Sequence, residues 1–222
     1  LTEETIESSY KSSIATIWKD RVAKHQEYTA KIPFSDFKVF DFICQNVPKN
    51  SQLQVSNSSA IRYLQLFDLD KSIQVFCNRG TSGIDGSTST AIGAALATNL
   101  PTILITGDIS FLYDSNALWN NYIPKNFKII LLNNSGGGIF RILPGHQETE
   151  TFNRYFETSH QLNASHLAKM YGFDYFEAND EATLQQQYKS FLNQNEKPSI
   201  LEIFTPEKEN NGILLEFFRG LK

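Results

Sequence analysis

Residues Ile103–Phe140, ILITGDISFLYDSNALWNNYIPKNFKIILLNNSGGGIF, constrain the fold more than any other stretch of the chain. Thr102–Thr106 and Lys128–Leu132 have the length and apolar composition of strands buried on both faces. Each run ends in a small, oxygen-rich turn, Gly107-Asp108 after the first and Asn133-Asn134-Ser135-Gly136-Gly137 after the second. Between them lies a helical stretch, read as capped by Ser110, with Leu112, Ala117 and Leu118 on one side. A strand–helix–strand unit brings both turns to the carboxyl edge of one sheet, where open α/β sheets bind ligands.

That placement implies a chemistry. Asp108 offers a carboxylate, Asn134 an amide oxygen, and the glycines after it let a backbone carbonyl turn inward. Hard oxygen donors of this kind suit an octahedral Mg²⁺ that completes its shell with phosphate oxygens. The amides that open the helix beside Gly107, at Ile109 and Ser110, face the same phosphates. Either turn by itself is also what an ordinary strand uses to close. Their separation, and their shared position after buried strands, favour a metal–diphosphate site.

The rest of the chain alternates strand and helix without internal repeat, which predicts an α/β fold: a doubly wound parallel sheet with helices on both faces. Thr2 to Lys31 reads as an amphipathic helix (Ile6, Tyr10, Ile14, Ile17, Trp18, Val22), with His25 a solvated bystander. Residues 1–31 are thus a connecting helix or the end of a preceding domain, and 32–222 the main domain. Ser35 caps a second helix with a Phe37/Phe40/Ile43 face. The segment after the strand Leu53–Ser56 opens a helix carrying Arg62 one turn beyond Ser58. The segment after Ser72–Cys77 is a glycine-rich loop (Arg79, Gly80, Gly83, Ile84, Asp85, Gly86) running into a small-residue helix capped by Ser87 or Ser89. Pro144–His160 is polar and lacks a clean period, as a loop or short helix over the site would be. Nothing in the residues says what His146 and His160 do there.

Charge and composition exclude several classes. A net charge of −4 with no basic stripe argues against a nucleic-acid partner. No apolar run has transmembrane length and no signal-peptide pattern opens the chain, so a cytoplasmic location is expected. Cys44 and Cys77 lack metal-ligand spacing and read as buried thiols of a reducing compartment rather than a disulfide. No GK[ST] follows a glycine run, so a Walker-type phosphate loop is absent.

The GD turn followed about 25–30 residues later by NN resembles the signature of thiamine diphosphate (ThDP) enzymes. The resemblance implies the ThDP-binding fold and assigns Asp108, Asn134 and the Gly136 carbonyl to Mg²⁺ (or Mn²⁺) against the cofactor diphosphate. One departure is visible: Ile109 stands where the family often has a third glycine. Within the family, SNSSAIR and NRGTSGIDGSTSTAIGAA look like the menaquinone-pathway synthases that decarboxylate 2-oxoglutarate and add the remaining four carbons to isochorismate. This implies Ile84 under the thiazolium, Asp85 and Gly86 beside the diphosphate, and Ser58, Arg62 and Arg79 on substrate carboxylates. Ile139, Phe140 and Leu143 would be apolar walls. A second carboxylate clamp distinguishes this reading from an acetolactate-synthase-like enzyme using pyruvate. A non-catalytic Mg²⁺–phosphate module is the alternative from another class. The family's catalytic Glu belongs to a pyrimidine-binding domain of the other subunit. The resemblance therefore implies missing N-terminal domains, a homodimer or homotetramer, and a chain that is inactive by itself. A start at Leu1 without initiator Met fits that expectation.

Overall fold

A computed structural model describes residues 9–221. Six parallel strands form one sheet: β1 (Gln52–Val55), β2 (Gln74–Cys77), β3 (Thr102–Gly107), β4 (Lys128–Asn133), β5 (Asp174–Ala178) and β6 (Ser199–Phe204), in the order β2-β1-β3-β4-β6-β5. Helices α1 (Ser9–Lys31) and α2 (Asp36–Asn46) precede β1, crossovers run through α3 (Ser59–Leu64), α4 (Ser87–Leu96), α5 (Asp108–Tyr113), α6 (Ser165–Tyr171) and α7 (Glu181–Asn193), and α8 (Asn210–Gly220) follows β6. The expected doubly wound sheet is the observed one.

Strand periodicity explains how one sheet supports two cores. Ile103, Ile105, Ile130, Leu132, Leu201 and Ile203 face the layer of α2, α3, α7 and α8. Their neighbours Leu104, Ile129, Leu131 and Ile200 face α4, α5 and α6. Because side chains alternate at every residue, a slip of one position would exchange the two sets. The register also aligns Val55, Ile105, Ile130 and Leu201 in one row across the four central strands. The edge strand β2 leaves Val75 and Phe76 exposed.

Helix ends follow their sequence signals with two exceptions. Ser35 accepts a hydrogen bond from the Lys38 amide, and Asp180 forms a capping box with Thr183. Gly172, at φ +77°, terminates α6 as expected. Ser110 does not cap: α5 starts at Asp108, and Ser110 lies inside it. Nor does Ser87 or Ser89 cap α4, whose N-cap is Gly86 at φ +73°. In the first case the strand runs straight into its helix, and in the second the left-handed Gly86 already turns the loop into the helix.

The first helix divides. Ile6 and the residues before Ser9 lie outside the described residues. Tyr10, Ile14, Ile17 and Trp18 are exposed, whereas Tyr28 donates to the Ile213 carbonyl at 2.6 Å. His25 is not solvated as expected. Its ring packs 5.0 Å from Phe37, 4.5 Å from Phe67 and 5.0 Å from Phe217, centroid to centroid. Among the described residues no helix is long and apolar enough to cross a membrane.

Burial holds the His25 pKa below its usual value of 6.5, against a smaller opposing pull from Asp41 and Asp68. The folded state thus resists a proton that the unfolded chain takes up below about pH 6.5, and His25 lowers stability as pH falls through that window. His25→Phe keeps the stack and removes the titration. Denaturant unfolding from about pH 7.5 to about pH 5.5 should show the variant gaining on the wild type as pH drops. A pH-independent difference would contradict the assignment.

Candidate functional site

From β1 the chain steps outward to β2, then crosses back past β1 to β3. The loops after β1 and β3 therefore diverge, leaving a crevice beyond the carboxyl ends of the strands. A cavity of about 230 Å³ occupies it. Ten of the expected site residues line this cavity: Ser58, Ile84, Gly107, Asp108, Ile109, Ser110, Asn134, Gly136, Ile139 and Phe140. Arg62, Arg79, Asp85 and Gly86 do not. Leu143, expected as a wall, is exposed instead and does not line the cavity.

Asp108 is buried where β3 meets α5. Its Oδ1 accepts from the Ile109 amide at 2.7 Å and its Oδ2 from the Gly136 amide at 2.9 Å. The two polar turns that flank the central unit are thus joined through this one carboxylate. The Ile109 amide is spent on Asp108 rather than left facing a ligand. His160 Nε2 lies 3.3 Å from the same Oδ2. That contact raises the His160 pKa above 6.5, with burial opposing.

The two asparagines after β4 separate in role. Asn133 turns toward the sheet and donates to Glu202 Oε1 at 2.7 Å and to the Leu162 carbonyl at 2.9 Å. The buried Glu202 also accepts from the Ala164 amide and the Tyr175 hydroxyl, each at 2.8 Å. Asn134 turns toward the cavity, and its Nδ2 donates to Asp36 Oδ2 at 2.9 Å. With its nitrogen committed, Oδ1 is the free end of that amide. Gly136 must be glycine: its φ is +152°, and a Cβ there would stand 2.8 Å from the Glu157 carbonyl oxygen.

Asp36 was not singled out from the sequence, where an acid after a capping serine reads as ordinary helix-dipole pairing. It is buried and lines the cavity. Oδ1 accepts from Thr205 Oγ1 at 2.6 Å, and its amide donates to Asn210 Oδ1 at 2.8 Å. Burial pushes its pKa up to about 6, a rise that the Thr205 and Asn134 hydrogen bonds reduce and nearby Asp108 reinforces. Two buried carboxylates facing one cavity favour a cation there. The oxygen donors of Asp108, Asn134 Oδ1 and Gly136 carbonyl fit a hard divalent ion. Among the described residues no group of three or more His, Cys, Asp or Glu gathers to hold a metal, at this cavity or away from it, so a cation here would depend on the amide and carbonyl oxygens as well as the carboxylate.

A second loop pair forms the opposite rim. Asn57, also missed in the sequence, donates through Nδ2 to the carbonyls of Ser82 and Gly83 and accepts from Arg79 Nη1 at 3.2 Å. Ser58 holds φ +73°, ψ −130°, a conformation rare for a residue with a side chain, and Arg62 Nη1 donates to its carbonyl at 2.7 Å. Ser110 Oγ donates to the Ile84 carbonyl, which leaves the Ile84 side chain against the cavity. Within the segment Pro144–His160, expected as a loop or short helix over the site, Phe152–Glu157 is a π-helical turn, and Tyr155, Phe156 and the following Thr158 line the cavity.

Residues 57–203 match the model of the thiamine pyrophosphate enzyme C-terminal TPP-binding domain. The chain is similar to the 2-succinyl-5-enolpyruvyl-6-hydroxy-3-cyclohexene-1-carboxylate synthase of Flavobacterium johnsoniae, with 63% identity over 98% of this chain and 39% of the relative. The synthase of Flavobacterium psychrophilum is 65% identical over the same shares. That of Bacteroides fragilis is 41% identical over 86% of this chain and 35% of its own length. The chain thus spans about two fifths of the Flavobacterium relatives. Benzoylformate decarboxylase from Polynucleobacter necessarius superposes with a TM-score of 0.64 at 18% identity, covering 81% of this chain and 34% of that one, which is a likeness of fold.

If Asp36 orients Asn134, Asp36→Ala leaves the Asn134 amide and the Thr205 hydroxyl without their acceptor. Each orphaned group costs about 1–3 kcal/mol, and loss of a ligand's outer partner weakens metal binding about ten- to a hundredfold. Denaturant unfolding and a Mn²⁺ titration followed by electron paramagnetic resonance check both. Unchanged Mn²⁺ affinity would refute the orienting role.

Proposed function

The chain belongs to the thiamine diphosphate enzymes as their C-terminal, cofactor-binding domain, and from that premise we propose that it is the C-terminal part of a 2-succinyl-5-enolpyruvyl-6-hydroxy-3-cyclohexene-1-carboxylate synthase. Such an enzyme decarboxylates 2-oxoglutarate and joins the four-carbon remainder to isochorismate. The observation that carries the site is the joining of Asp108, Gly136 and Asn134 at one crevice of the sheet. The substrate assignment is supported by identity to named synthases along nearly the whole chain.

ThDP, when bound, supplies the electron sink for decarboxylation. This chain's residues supply position and charge. Asp108, Asn134 Oδ1 and the Gly136 carbonyl would hold Mg²⁺ or Mn²⁺, whose charge would offset that of the cofactor's diphosphate. Ile84, Ile139, Phe140, Tyr155 and Phe156 make the apolar walls that keep water from the reacting carbons. Ser58, Arg62 and Arg79 stand at the outer rim, where both substrates present carboxylates. Arg62 and Arg79 share a neighbourhood, since both act on the Cys77 thiol, whose pKa burial raises and these two cations lower. The connecting helix α1, a homodimer or homotetramer, and a general acid from a domain outside this chain complete the proposal.

CO₂ release by the complete enzyme, given Mg²⁺, ThDP and isochorismate, tests it. Release with 2-oxoglutarate and consumption of isochorismate supports the assignment. Release with pyruvate instead keeps the ThDP site and discards the substrates. No release with either discards the catalytic reading in favour of a phosphate-binding module. Two variants separate the residue roles. Asp108→Asn should weaken Mg²⁺–ThDP binding at least about tenfold by removing a ligand charge. Arg79→Ala should leave that affinity within about twofold while raising KM for 2-oxoglutarate about tenfold or more. Equal loss of cofactor affinity in both would overturn these roles.

A further inference from the structure

Arg141 and Glu157 form an ion pair that no substrate-facing role accounts for. Both side chains are almost wholly buried, at 4% and 1% exposure. Arg141 grips Glu157 with a two-pronged fork, Nε to Oε1 and Nη2 to Oε2. Its remaining Nη1 goes to Glu148, whose side chain is half exposed. The guanidinium also lies over the Phe152 ring, 5.9 Å from its centroid. Burying two charges is expensive, and apolar packing stabilises a core about as well. What the fork adds is geometry: it fixes both distance and rotation between the segments that carry it.

Those segments are two walls of the cavity. Arg141 sits in the 3₁₀ turn Gly138–Ile142, directly after Phe140. Glu157 ends the π-helical turn, directly after Phe156. Phe140 and Phe156 meet edge to face at 5.8 Å and both line the cavity. The backbone repeats the connection. Glu157 accepts from the Gly137 amide at 2.6 Å, and His160 donates its amide to the Ser135 carbonyl at 3.1 Å. A Cβ on Gly136 or Gly137 would meet that same Glu157 carbonyl at 2.8 or 3.3 Å. One residue further, the Gly136 amide reaches Asp108.

We propose that Arg141 and Glu157 are positioning residues: their fork clamps the π-helical turn onto the glycine loop, which holds the Gly136 backbone against Asp108 and sets the gap between Phe140 and Phe156. The inference rests on the reading of the cavity as a Mg²⁺–ThDP site and assigns that site a support that is not itself a ligand. Loosening the clamp releases the loop without removing any cofactor contact.

The test uses the complete enzyme as wild type, Glu157→Gln, Arg141→Lys and Glu148→Gln. Mg²⁺–ThDP affinity is measured by calorimetry well below each thermal midpoint, and the midpoint itself by scanning. Glu157→Gln keeps the shape and loses the charge; Arg141→Lys keeps the charge and loses the fork. Both should weaken cofactor binding about tenfold, as loss of a supporting partner does at metal sites. Glu148→Gln should change it less than about twofold, since that carboxylate is half in solvent. Lower thermal midpoints with affinity within about twofold of wild type in Glu157→Gln would show a pair that only stabilises the fold, and would overturn the proposal. If Glu157→Gln does not fold, Arg141→Lys decides on the same criterion. A wild type that does not bind ThDP removes the reading of the cavity, and the inference with it. A wild type that binds, beside variants that bind equally, removes the inference alone.

Discussion

Two carboxylates, Asp36 and Asp108, are buried at the same end of the sheet, and most of the local structure follows from keeping them there. A buried charge without partners is too costly to persist. Asp108 is satisfied by two backbone amides, one from its own helix and one from the loop after β4. Asp36 is satisfied by Thr205, Asn134 and, through its backbone, Asn210. These partners come from four separate stretches of chain. Fixing two acids therefore fixes how α2, β3, β4 and the end of β6 meet, and it orients the Asn134 amide at the cavity.

The same requirement explains which glycines are needed. A loop that must deliver its amide to Asp108 has to pass close beneath the π-helical turn, and at Gly136 the backbone fills the space a side chain would need. Not every glycine is under such pressure. A Cβ on Gly93 or Gly107 meets nothing within 4 Å. In α4 the close contact is made by Ala91 and Ala95, which are buried against the sheet, while Gly93 has open space beside it.

Legibility from sequence tracked how local each interaction is. Strands β3 and β4, the turns after them and the doubly wound order are written in short periodic segments, and a sheet built from such units has few alternatives. The pairing of Asp108 with the glycine loop could be anticipated because both follow strands of one crossover unit. Asp36 and Asn134 are 98 positions apart, and no pattern joins them. Arg141 and Glu157 are closer, at 16 positions, but lie in irregular 3₁₀ and π turns where residue spacing does not predict facing. His25 looked solvated because it sits on a helix with a polar flank. Only the tertiary approach of α2, α8 and the segment after α3 gives its ring aromatic neighbours. Ser110 looked like a cap because serines favour that place, yet Asp108 already began the helix.

Three arginines near this sheet edge show how partners, rather than residue type, define a role. Arg141 spends its donors on two carboxylates and lies inside the protein, so its charge is neutralised where it stands. Arg62 and Arg79 bond only to neutral acceptors, the Ser58 carbonyl and Asn57 Oδ1, and both are exposed. Among the described residues neither forms an ion pair. A hydrogen bond to a neutral oxygen fixes one edge of a guanidinium while leaving its charge and its other donors open. That is the state the proposed carboxylate-binding role needs before a ligand arrives: charged and unspent. Ser58 adds to this reading, since its backbone is held in a rarely occupied region by the same Arg62 contact. Strain of that kind persists only where the surroundings enforce it, and here it falls at a loop end that lines the cavity, one helical turn from the exposed Arg62.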